Sequence, residues 1–157
     1  MKKLSALAIT CILVFAHAEK STAQKNALNG LPPSAIPTSA GGYTMTAKIN
    51  GKDCKALAMM PPDITGQIVG FYNGDKYIGL PYHKKDFVAG KKLLFSNENA
   101  DLTTADDVGV YGGRKGEMEI TKVTSTYAEG KFFFTGYSYD NKKTIEVENG
   151  FFRILLK

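Results

Sequence analysis

Tryptophan is missing from this chain of 157 residues, and histidine and cysteine occur only twice each. His17 and Cys11 fall in the first 18 residues, so the remainder carries one thiol, Cys54, and one imidazole, His83. That excludes an internal disulfide and leaves too few soft ligands for a zinc site, so stability has to come from the core and no metal or cofactor is expected. Without tryptophan, phenylalanine and tyrosine are the only rings from which a sugar-stacking platform could be built. Long apolar runs are also scarce, and none beyond the first 18 residues approaches the roughly 20 residues that a membrane-spanning helix needs. No stripe of basic residues is present either. Lys48, Lys52, Lys55, Lys76, Lys84, Lys85, Lys91, Lys92, Lys122, Lys131, Lys142 and Lys143 are scattered, which gives no nucleic-acid footprint.

What is there begins with an export signal. Met1-Lys2-Lys3 is a charged start, Leu4 to Phe15 is an apolar run, and Ala16-His17-Ala18 is a small-x-small cleavage site. Cleavage after Ala18 leaves 139 of the 157 residues, with 18 basic and 15 acidic side chains and a net charge of +3. Cys11 sits in a poor context for lipid attachment, with Ala8-Ile9-Thr10 before it and apolar residues after it. The expected location is the periplasm or the outside of the cell, with outer-membrane association as an open alternative.

Residues 19–42 contain small and polar residues, three prolines and no aromatic side chain, which predicts a flexible, partly extended linker. A single β domain is expected over residues 43–157. Tyr43, Met45, Ala47 and Ile49 alternate with Thr44, Thr46 and Lys48, a half-buried strand. Asn50-Gly51 then supplies a tight hairpin turn into a partner strand over Lys52 to Met60, which Pro61-Pro62 ends. Gln67 to Tyr72 and Lys76 to Leu80 make a second hairpin around Asn73-Gly74. Shorter strands are expected at Lys92 to Phe95 and Val108 to Tyr111, and Gly112-Gly113-Arg114-Lys115-Gly116 reads as a connecting loop. Three more strands follow, at Glu117 to Val123, Lys131 to Tyr139 and Thr144 to Leu156, the last broken at Asn149-Gly150. The fold class is all-β: an antiparallel β-sandwich or partly closed β-barrel of about seven to nine strands.

Residues 116–123 (GEMEITKV), 129–136 (EGKFFFTG) and 147–152 (VENGFF), with 47–52 (AKINGK) near the start, together resemble a family of small exported bacterial β-rich proteins of unknown function. The resemblance implies a β fold and export, and it transfers no catalytic residue. Members of that family often carry a lipid-anchored cysteine after the signal, which this chain lacks in a suitable context.

Candidate chemistry is sparse. Cys54 and His83 could form a nucleophile and base only with an orienting third group and an oxyanion hole, which the sequence does not place. Cys54 alternates in phase with Ala56 and Ala58, as a small buried thiol does. Glu98, Asp101, Asp106 and Asp107 share an oxygen-rich loop over Glu98 to Asp107 with the composition of a calcium site but not the spacing of an EF-hand. The strand Lys131 to Tyr139 is unusual in carrying aromatic residues on both faces. Phe132 and Phe134 lie on one, and Phe133, Tyr137 and Tyr139 on the other. The all-apolar pair is assigned to the core, which leaves Phe133, Tyr137 and Tyr139 as a ligand or partner surface. The expectation is a non-enzymatic binding or interaction module of the cell envelope, with an envelope protein, a glycan or a small ligand as partner. An envelope hydrolase using the acidic loop or Cys54, and a carrier of small apolar ligands, are the alternatives.

Overall fold

A computed structural model describes residues 31–74, 76–95, 101–103, 110–138 and 142–156. Among them the strands are β1 (Ile36–Pro37), β2 (Thr44–Ile49), β3 (Lys52–Lys55), β4 (Ala58–Met60), β5 (Gln67–Asn73), β6 (Lys76–Pro81), β7 (Lys92–Phe95), β8 (Asp101–Thr103), β9 (Val110–Val123), β10 (Tyr127–Tyr137) and β11 (Thr144–Leu155). All pairings are antiparallel, in the hydrogen-bonded order β1-β4-β5-β6-β8-β9-β10-β11-β2-β3, with β7 lying along β9. This path folds over into two packed antiparallel sheets, a β-sandwich that does not close into a barrel.

The turns follow from residue chemistry. Asn50 and Gly51 both adopt positive φ, 47° and 77°, the backbone that a two-residue hairpin with the right twist requires. Pro61-Pro62 stops β4, and Pro62 opens the single helical turn α1 (Pro62–Thr65), where its missing N–H costs nothing. The strand expected over Lys52 to Met60 is split. Ala56 N–H still donates to Met45 O on the β2 side, whereas Leu57 N–H donates to Phe71 O on the β5 side. One segment thus steps from one end of the hydrogen-bonded path to the other, which divides it into β3 and β4.

The core forms where inward faces meet. Phe132, Phe134, Phe152, Met45, Met118, Ile120 and Ile154 are buried in one continuous cluster, with Phe95 edge-to-face against Phe134 at 5.8 Å between ring centres. A second cluster, Met60, Val69 and Phe71, lies on the other side of β4 and β5, where Leu31, Ala35 and Tyr77 pack against it. β5 is therefore covered on both faces, which explains its unbroken apolar run Ile68-Val69-Gly70-Phe71.

Other features also differ from the reading of the sequence. Residues 31–42 were expected to belong to the linker, yet β1 pairs with β4, Thr38 N–H donates to Leu57 O, and Leu31 and Ala35 cover the second cluster. Few apolar residues suffice there because β4 and β5 offer them a ready-made apolar face. Residues 19–30 lie outside the described residues. Gly112 to Gly116 is part of β9 and not a loop. At Gly116 the strands pack too closely for a side chain: a Cβ there would sit 2.1 Å from Phe133 O. Asn149-Gly150 does not break the last strand either. It is a bulge inside β11, where Glu148 and Phe151 pair with Lys48 and Thr46, one residue more on β11 than on β2.

Candidate functional site

Alternation along β10 separates the aromatic residues as its periodicity predicts. Phe132 and Phe134 are buried, while Phe133 is 52% exposed and Tyr137 is half-buried on the opposite face. Tyr137 carries the guanidinium of Arg114 at 5.7 Å from its ring centre. Tyr139 lies outside the described residues.

Register extends this outer face to both sides. Phe133 pairs with Glu117, and Glu117 pairs with Leu94 of β7, so Leu94, Glu117 and Phe133 stand in a row across three strands. Leu94 is 70% exposed. The next row reads Lys92, Glu119, Lys131, Phe151 and Thr46 across β7, β9, β10, β11 and β2. Along both rows apolar and charged groups stand side by side on strands, and among the described residues no further layer packs on this face as Leu31 and Ala35 do on β4 and β5.

The bulge in β11 shapes the surface. Asn149 has a φ of 50°, which places Glu148 and Asn149 next to one another on the outside, while Gly150 turns inward onto Phe132. A Cβ on Gly150 would lie 2.5 Å from the Phe132 ring, so only glycine fits. At the bulge is an open depression of about 580 Å³ lined by Glu117, Glu119, Lys131, Phe133, Glu148, Asn149 and Phe151, together with Phe132 and Gly150. A second depression of about 320 Å³ shares Asn149 with it and is lined by Thr46, Lys48, Asp53, Cys54 and Lys55 among others.

Charges on this face are largely paired. Lys92 Nζ donates to Glu117 Oε1 at 2.8 Å, and Lys48 Nζ lies 3.4 Å from Asp53 Oδ1. The Lys92 ammonium is held above its usual pKa, first by that hydrogen bond and then by the charge of Glu117. Beyond the depression, Arg153 Nε donates to Glu129 Oε1 at 2.7 Å, and its guanidinium lies 4.9 Å from the Tyr127 ring centre.

Cys54 is half-buried on β3, opposite Ala47, and burial pushes its thiol up to about 11. Such a thiol is protonated at neutral pH and a poor nucleophile. His83 is exposed before a short 3-10 turn at Lys84–Asp86; its carbonyl accepts from Asp86 N–H at 2.8 Å, and its side chain makes no capping hydrogen bond there. The structure therefore does not bring together the pair that a thiol hydrolase requires. Glu98, Asp106 and Asp107 lie outside the described residues. Among the described residues no three His, Cys, Asp or Glu side chains are close enough to hold a metal ion, and no helix is long and apolar enough to cross a membrane.

No family model, curated protein or solved structure matches this chain. Its site must be read from its own geometry. Sequence reasoning located Phe133 and Tyr137 but missed Leu94, Phe151, Glu119, Lys131, Glu148 and Asn149. Leu94 and Phe151 were accessible from strand phase, since Phe95 and Phe152 beside them carry the inward side chains. The bulge that gathers Glu148 and Asn149 was not, because an Asn-Gly pair reads equally well as a turn.

Proposed function

We propose that this chain is a non-enzymatic binding module exported to the cell envelope, with the outer face of β7, β9, β10 and β11 as its recognition surface. The observation that carries this reading is the open 580 Å³ depression on which exposed Phe133 and half-buried Phe151 stand among charged and amide side chains held on strands. Large apolar side chains left in water on a rigid surface cost solvation that a partner recovers by covering them. The export part of the reading is supported by the charged start, apolar run and Ala16-His17-Ala18 ending, and by the resemblance in residues 116–152. The raised pKa of Cys54 argues against a hydrolase that uses this thiol, and Glu98, Asp106 and Asp107 of the acidic loop lie outside the described residues. Among the described residues Phe132, Phe134, Phe152 and Met118 pack together in the interior, which argues against a carried apolar ligand there.

The test is a paired retention experiment on envelope fractions with the native chain and Phe133→Asp. Retention lost in the variant, with melting unchanged, supports the surface. Equal retention of the two proteins rejects it.

A further inference from the structure

We propose that the outer face from β9 to β3 is a binding trough for an extended, uncharged oligosaccharide, an assignment that rests on reading this face as the recognition surface. The two depressions share Asn149 in their linings, and their lining residues lie on β9, β10, β11, β2 and β3. Four strand spacings of about 4.8 Å make a path of roughly 19 Å, long enough for several sugar rings end to end. The path runs across the strands and over their side chains. A peptide that binds by strand addition needs the ladder groups of a sheet edge, which a trough on the face does not offer.

Electrostatics select an uncharged ligand. Glu117 is bonded to Lys92, Asp53 is paired with Lys48, Glu119 stands between Lys92 and Lys131 in register, and Glu148 stands opposite Lys48. Each carboxylate has a cation beside it, so the surface offers little net field to attract a polycation or a polyanion. What remains is a set of hydrogen-bonding groups of both senses: the Lys131 ammonium donates, the Glu119 and Glu148 carboxylates accept, and the Asn149 amide does both. Hydroxyl groups of a sugar also donate and accept. Phe133 and Phe151 supply the second element of sugar recognition, since the faces of aromatic rings carry negative potential and pack against the polarised C–H face of a pyranose. Both rings line the depression that holds Lys131, Glu119, Glu148 and Asn149. Asn149 is preorganised, because the bulge fixes its backbone and the Phe132 ring beneath Gly150 prevents the bulge from relaxing inward.

Titration calorimetry on the full chain tests this with linear uncharged hexamers of hexose and of N-acetylhexosamine, in α and β linkage, alongside a lysine-rich and a glutamate-rich peptide. At least one hexamer is expected to bind, more than tenfold tighter than its monosaccharide. Phe133→Ala and Asn149→Gly are each expected to weaken it by tenfold or more with melting unchanged, since glycine accepts the Asn149 backbone and removes only the amide. No hexamer binding, or binding indifferent to both variants, overturns the assignment, and so does a peptide that binds in their place. If the sugars fail while Phe133→Asp still abolishes envelope retention, the recognition face stands and the ligand class falls. If retention is also unaffected, both fall.

Discussion

Phe134→Ala compared with Phe133→Ala gives the sharpest measure of the two-faced strand, because the residues are neighbours and identical in chemistry. Phe134 is 2% exposed, pairs with Gly116 on one side and Val147 on the other, and receives Phe95 edge-on. Truncation removes buried ring surface and leaves a cavity that neighbours locked in strands cannot fill, a cost of about 3–5 kcal/mol. The Phe95 partnership adds roughly 0.5–1.5 kcal/mol, part of it already inside that range. Phe133 has half its surface in water and no ring partner among the described residues, so its truncation is expected to cost under about 1 kcal/mol. For a domain with a total stability of about 5–15 kcal/mol, the first change removes a large fraction and the second very little. Urea unfolding followed by circular dichroism separates them. With a slope of about 1–3 kcal/mol/M, Phe134→Ala should lower the midpoint by about 2 M, and Phe133→Ala by less than about 0.5 M. Equal midpoints would show that the outer face is covered in solution and would refute the exposure argument together with the recognition surface.

Other perturbations probe separate parts of the structure. Gly150→Ala places a methyl group against the Phe132 ring and should cost about 1–3 kcal/mol in the same urea assay, and an unchanged midpoint would contradict the tight bulge. Cys54, Tyr43 and Tyr82 all have pKa values raised chiefly by burial, so the folded state retains protons that the unfolded chain has released. Stability is thus fully present below the unfolded values and should fall as pH rises, for Cys54 between about 9 and 11; Cys54→Ala should flatten that part of the fall, and identical pH profiles would remove the burial account. Iodoacetamide at pH 8 should label native Cys54 far more slowly than the urea-unfolded chain, with equal rates counting against a shielded, protonated thiol. Mass spectrometry of the exported protein should find Glu19 as its first residue, and an intact Met1 would reject the export signal.

Much of the β architecture was legible because side chains alternate with a period of two. Tyr43, Met45 and Ala47 are buried as their phase requires, and Asn50-Gly51 forms its expected turn. Legibility ended where one residue could serve two geometries. In β11 the buried positions shift from Ile145 and Val147 to Phe152 and Ile154, a change from odd to even numbers that reads as two strands but is one strand with an extra residue. Glycine misled in the same way: Gly112, Gly113 and Gly116 suggest a loop by composition, whereas all three lie inside β9, and at Gly116 the neighbouring backbone leaves no room for a side chain. The packing of Leu31, Ala35 and Ile36 depends on a surface formed by residues distant in sequence, and no local pattern announces it. The outer-face trough is half legible for the same reason: phase gives Phe133, but only register across five strands shows which charges surround it.

The pairing of β2 with β11 joins residues 44–49 to residues 147–153, so the first long strand waits for the last. Before β11 arrives, β2 and β10 both lack a neighbour on that side, and their open ladders and apolar inner faces are sites for pairing with other chains. Contacts this distant in sequence close slowly, because a loop of about a hundred residues must be ordered before any reward is collected. Removing Thr144 to Leu155 should therefore yield aggregation rather than a smaller stable domain.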